Sequence, residues 1–297
     1  MISRFGPQDE RPSILRRLTL LGMVLHGTSF GAVLNLTNTN FGSGLEPDVL
    51  TSGTGATFRG GFLNGALFRD PSVEGSSGSG VFRDLYRLTP PNGKGNVIEA
   101  GYNRARMDSK IPGGFDPVIR VGDLIEDSTG SAYIFVVDIN ESNSAPESFI
   151  SMDDFKIWVG GANDPSTLPD SLATLGASLG IPIYDMQGDG GNNTVFLDAR
   201  LSSGSGGGDA FIFVPKTLFG DDENALVYVY SQFGAYTALP GFGAGATSEQ
   251  VSIPGKSLDG TGGTTNQSTI GAGVPVPEPT VVSLLFGGVA LLLRRRR

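Results

Sequence analysis

Oxygen is the chemistry-bearing atom this chain has in abundance. Residues 185–193 read Asp-Met-Gln-Gly-Asp-Gly-Gly-Asn-Asn, placing side-chain oxygens on Asp185, Gln187, Asp189 and Asn193, with glycines that let the backbone curl between them. A hard cation such as calcium collects roughly six to eight oxygens from a flexible loop, so these four are candidate calcium ligands. Measured against an EF-hand loop the last ligand is absent, because Phe196 stands where the closing glutamate belongs. A plain Asp- and Asn-rich surface turn is the other reading. Asp153-Asp154 and Asp221-Asp222-Glu223 are further acidic groups, but neighbouring carboxylates in a strand point to opposite faces.

Other chemistries lack their residues. There is no cysteine, and the one histidine is His26. If residues 1–32 are removed, the body offers no imidazole or thiolate for a Ser-His-Asp triad, a cysteine nucleophile or a zinc site of nitrogen and sulfur ligands. The glycine-rich run 204–208 lacks a phosphate-contacting lysine and reads as a connection between strands. Two carboxylates flanking a sugar bond could hydrolyse it from distant chain positions, which keeps a polysaccharide hydrolase as a third class. The expectation is nonetheless a non-enzymatic protein without a required cofactor, calcium being the one candidate.

Charge narrows the partners. Residues 1–31 hold four arginines and two acids, and residues 278–297 hold four arginines and one acid; the remainder has 13 basic and 27 acidic residues, a formal −14. A body so acidic repels a phosphate backbone, so nucleic acid is not expected as a partner.

The elements that would position any site read as strands. Forty-five glycines and 18 prolines against 17 % charged residues favour frequent turns and few surface helices. Apolar β-rich runs occur at 133–139, 155–159, 194–197, 210–214 and 226–230, with weaker ones near 97–102 and 118–121. Alternation predicts that Phe155, Ile157 and Val159 share one face. The continuous apolar runs 134–137 and 211–214 predict strands covered on both faces. Leu168, Leu172, Leu175 and Leu179 recur at helical spacing, but Gly176 and Gly180 leave a short helix and a long loop both open. The expected fold is all-β, a single antiparallel β-sandwich or jelly-roll-like domain over residues 33–240. Residues 241–276, dominated by Gly, Thr, Ser and Asn, are expected to be a flexible linker.

The two ends read as addresses. Arg11, Arg16 and Arg17 precede the apolar run 18–25 and the small-residue stretch 27–32, the order of a secretory signal peptide, expected over residues 1–32. At the other end, Pro277-Glu278-Pro279 is followed by uncharged residues 280–293 and then Arg294, Arg295, Arg296 and Arg297. As a helix that apolar stretch would rise only ~21 Å, short of the ~30 Å hydrocarbon core, while the arginines would hold the terminus in the cytoplasm. A transient inner-membrane anchor is the expectation.

The Pro-Glu-Pro, the short apolar helix with Gly287 and Gly288, and the arginine cluster together resemble the PEP-CTERM sorting signal of Gram-negative bacteria. The resemblance over 277–297 implies recognition and cleavage by exosortase after export through the Sec machinery and signal peptidase, with delivery to the cell surface or an extracellular polysaccharide (biofilm) matrix. Gly101-Tyr102-Asn103, Asp153-Asp154-Phe155-Lys156-Ile157-Trp158, Gly208-Asp209-Ala210-Phe211 and Ser231-Gln232-Phe233-Gly234 resemble an uncharacterised ectodomain that often precedes this tail, over most of residues 80–236. In that group a Gly-Phe-Glu-Glu-Trp segment follows, whereas here Gly241-Phe242 continues into Gly243-Ala244-Gly245. A non-enzymatic surface or matrix protein is the leading expectation. The alternative is a carbohydrate-binding module or adhesin, calcium-dependent if the 185–193 loop is occupied, recognising glycans through Trp158, Tyr184 or Tyr236.

Overall fold

The computed structural model of the chain describes residues 31–51, 55, 57–71, 82–90, 97–142, 147–161, 169–188, 191–202, 208–245 and 247–255. The apolar stretch of the expected signal peptide, linker residues 256–276 and the sorting signal 277–297 lie outside these residues, as do Leu168 and Asp189. Among the described residues no helix is long and apolar enough to cross a membrane.

The body is mostly β-sheet, built from two eight-stranded sheets. The first runs β1 (Val33–Asn35), β13 (Thr194–Asp198), β11 (Phe149–Val159), β15 (Leu226–Phe233), β6 (Glu99–Tyr102) and β7 (Arg104–Met107), with β12 (Tyr184–Asp185) on β11 and β9 (Ile119–Arg120) on β15. The second runs β2 (Val49–Thr51), β3 (Thr57–Leu63), β4 (Ala66–Arg69), β14 (Ala210–Pro215), β10 (Ala132–Asp138), β16 (Gln250–Pro254), β5 (Phe82–Leu88) and β8 (Ser109–Lys110). Pairing is antiparallel except between β1 and β13.

Period-two alternation decides what each strand buries. In β11, Phe155, Ile157 and Val159 face a cluster that also takes Tyr133, Phe135 and Val137 from β10 and Ile212 and Val214 from β14, so both sheets feed one core. The intervening residues of the central strands are buried too: Ile134 and Val136 join Phe211, Phe213 and Leu67 on the opposite face of the second sheet. That double burial is why 134–137 and 211–214 are apolar throughout. Two tyrosines tie the sheets together through polar atoms: Tyr86 shares a 2.8 Å hydrogen bond with Ser231, and Tyr184 donates to the Leu63 carbonyl at 2.8 Å.

Local chemistry shapes the connections. Asn64-Gly65 turns β3 into β4 with positive φ at both residues (47° and 87°), the geometry of a two-residue hairpin that Asn-Gly favours. The leucine repeat resolves over its described part as the helix α1 (Leu172–Leu179), whose N-cap Ser171 accepts from the Thr174 N–H. Leu175 of α1 is buried over Tyr102, Trp158, Tyr228 and Tyr230 on the outer face of the first sheet.

The domain does not end at residue 240, and the expected linker does not begin at 241. β16 lies inside the second sheet, paired on one side with β10 and on the other with β5. Phe242 is 1 % exposed in an aromatic group with Phe149 and Phe196. A Gly- and Ser-rich composition hides this, because Val251 and Ile253 at alternate positions suffice once hydrogen bonding is satisfied on both edges.

Candidate functional site

Two apolar covers shield the outer face of the first sheet, and a polar strip remains between them. One cover is α1 over Trp158; the other is the group of Phe41, Phe149, Phe196, Tyr236 and Phe242. Between them opens a cleft of about 400 Å³. Its floor is Asp153, Thr194 and Gln232; Gln187, Asn192 and Asn193 form one wall and Tyr236 and Thr237 the other.

Asp153 owes its position to a β-bulge. The β11–β15 register shifts between Met152 and Asp154, so Asp153 is the extra residue and its carboxylate is re-aimed. It accepts from Ser151 Oγ at 2.7 Å and the Ala235 N–H at 2.6 Å on one oxygen, and from Thr194 Oγ1 at 3.2 Å on the other. Burial raises its pKa, and these hydrogen bonds oppose the rise. Further along β11, Lys156 pairs with Asp154 at 3.2 Å and with Asp185. Burial lifts Asp154 to about 6 against the pull of Lys156.

The candidate calcium loop forms the wall, and Asp185 Oδ1, the Gln187 amide and the Asn193 side chain are spent on the polypeptide. The Gln187 amide donates to the carbonyls of Asp153 and Asn193 and accepts from the Asn193 N–H. Asn193 accepts from the Ala32 N–H and donates to the Met186 carbonyl. Asp185 accepts from Lys156 and from the Gln187 N–H. Asn64 reaches across from the β3–β4 turn to the carbonyls of Asp185 and Met186, so close that a Cβ on Gly188 would lie 2.5 Å from its amide nitrogen. Asp185, Gln187 and Asn193 are therefore brought together, but as a hydrogen-bonded brace. Among the described residues no group of three or more His, Cys, Asp or Glu side chains is placed to hold a metal ion.

Of the three aromatics expected to meet glycans, two are in the interior. Trp158 is 2 % exposed and donates to the Gly180 carbonyl at 2.9 Å, and Tyr184 is 3 % exposed between the sheets. Tyr236 alone lines the cleft, its ring held against Phe196 at 4.9 Å and Phe242 at 5.8 Å between centroids.

A second polar group has no counterpart among the sequence candidates. Glu99 opens β6, Glu249 precedes β16 and Glu141 follows β10, so three distant glutamates converge at one end of the core. Glu249 lies two residues before the core residue Val251, and Glu141 two beyond the core residue Ile139. Glu99 and Glu249 are 0 % exposed, and the one N–H beside their carboxyls is the Glu249 peptide's own. Their other hydrogen-bonding neighbours are carboxyls: Glu249 contacts both Glu99 and Glu141, while Glu141 also accepts from the Gly245 N–H. Burial lifts Glu99 and Glu141 to about 7 each and Glu249 well above the carboxylate range. Two carboxyls can hydrogen-bond to each other only if one of them keeps its proton.

No family model, curated protein or solved structure matches the chain.

Proposed function

We propose that this chain is an exported, non-enzymatic surface or extracellular-matrix protein with a β-sandwich body, sorted by exosortase through its C-terminal signal. The order of features at the C-terminus carries the reading: Pro277-Glu278-Pro279, an uncharged stretch too short for a comfortable bilayer span, and Arg294 to Arg297 at the cytoplasmic side. The basic, apolar and small-residue order of residues 1–32 agrees with export through Sec and signal peptidase. The sandwich is supported by the single core fed by both sheets and by the tyrosine bonds between them, which stabilise a body without disulfides. Transient insertion in the inner membrane precedes release to the surface or the polysaccharide matrix. In a host with exosortase, the mature protein should lack Arg294 to Arg297, and Glu278→Ala should accumulate as a larger inner-membrane form. Mass spectrometry of the C-terminal peptide decides it, and an intact tail on exported wild-type protein overturns the reading.

The cleft favours a second reading, a carbohydrate-binding module. An aromatic ring beside amide and hydroxyl groups in a cavity within the ~300–1,000 Å³ range suits a sugar ring. Retention of the purified protein on immobilised glycans, lost in Tyr236→Ala, is its test, and retention that survives that substitution would contradict it.

A further inference from the structure

Resting on that second reading, we propose that the cleft takes a neutral, polyhydroxylated chain and discriminates against uronate-rich or phosphorylated glycans. Its polar groups divide into spent and unspent. Asp153, Gln187, Asn193 and Thr194 are committed to the hydrogen bonds described above, which fix the floor and one wall. Among the described residues, the Asn192 side chain, the Gln232 amide nitrogen and the hydroxyls of Tyr236 and Thr237 have no partner; Gln232 Oε1 accepts from Tyr230. The unspent groups are uncharged amides and hydroxyls. Sugar hydroxyls likewise both donate and accept, so each can be matched without leaving a buried group unpaired.

An anion finds no such match. Among the described residues no lysine, arginine or histidine lines the cleft, and the one acidic side chain on its floor is Asp153. Lys156, further along β11, is committed to Asp154 and Asp185. A uronate or phosphate would therefore lose water without gaining a counter-charge, inside a body already of formal charge −14.

The test is calorimetric titration of the full chain with neutral hexamers (β-1,4-glucan, β-1,3-glucan, α-1,4-glucan, xylan) and anionic hexamers (galacturonan, mannuronan). Tyr236→Ala, Tyr236→Phe and the surface variant Asn192→Ala are titrated in parallel, with thermal melts to confirm folding. The proposal expects a neutral hexamer to bind at least tenfold more tightly than either uronate. Tyr236→Ala should weaken that binding tenfold or more, and Tyr236→Phe and Asn192→Ala two- to fivefold. Equal or tighter uronate binding that still depends on Tyr236 would refute the ligand class while leaving the cleft as the site. Binding indifferent to all three substitutions, or no binding by any hexamer, would remove the glycan-binding reading itself.

Discussion

Asp153 and the Glu99, Glu141, Glu249 trio are both withdrawn from water, yet they present opposite solutions. Asp153 sits on an open face, and a bulge, two side-chain hydroxyls and a peptide N–H supply donors to its carboxylate. Glu99 and Glu249 sit between the sheets with only the Glu249 peptide N–H and neighbouring carboxyls as donors. Burial alone, then, does not make a binding site. Donors satisfy the cleft carboxylate and leave neighbouring amides and hydroxyls for a ligand, whereas the trio is enclosed and is satisfied by retaining protons.

The most damaging change should be to the packing behind the cleft. Phe242 touches Phe41, Phe149, Phe196 and Tyr236, so Phe242→Ala opens a cavity under the Tyr236 wall and should cost about 3–5 kcal/mol by denaturant unfolding. A loss under about 1 kcal/mol, too small for a filled aromatic site, would return residues 241–245 to the linker and dissolve the cleft side of the comparison.

The glutamate side is broken by pH. Glu99 and Glu141 hold protons until about pH 7 in the fold but, with an ordinary value of 4.5, only to about that pH when unfolded. The native state therefore binds more protons in that window, and its stability must fall as pH rises from about 4.5 through about 7. Asp154 and Asp138, each lifted to about 6 by burial, act with the same sign. Between pH 5 and pH 8, Glu99 and Glu141 should each contribute roughly 2–3 kcal/mol in favour of pH 5, because each tenfold difference in proton affinity between the folded and unfolded chain is worth ~1.4 kcal/mol. Glu249→Gln, which keeps a donor beside Glu99 without a titrating group, should flatten the profile. A stability that climbs from pH 5 to pH 8 would contradict the proton-held trio.

A smaller effect is expected at the bulge. Asp153→Ala strips the acceptor from the Ala235 N–H and from Ser151 and Thr194, and should cost about 1–3 kcal/mol.

Much of this architecture is legible along the chain. Strands buried on both faces announce themselves as continuous apolar runs, and 134–137 and 211–214 are central for that reason. The Asn64-Gly65 pair is a hairpin signal for β3 and β4, two strands outside the runs picked from the sequence. β16 is harder to see, since Gln250–Pro254 offers two large apolar residues and borrows its stability from partners remote in the chain, as in Val136 with Ser252 and Arg87 with Gln250. Trp158 alternates with Ile157 and Val159 and so reads as the outward residue of a half-buried strand; only the fold-back of α1 buries it. The 185–193 loop has the composition of a cation site, but what its oxygens bind is set by Lys156, Asn64 and Ala32. Glu99, Glu141 and Glu249 carry no local pattern, and their convergence belongs to the pairing of the strands around them.

The contrast between the two carboxyl environments is tested most directly by site-resolved carbon-13 NMR titration of the side-chain carboxyls. The account predicts that Glu99 and Glu141 titrate near pH 7 and Glu249 well above the ordinary carboxylate range, while the donors of Asp153 oppose its rise so that it is not the last of the four to lose its proton. Glu99 and Glu249 both ionised by pH 5, or Asp153 the last of the four to lose its proton, would contradict it.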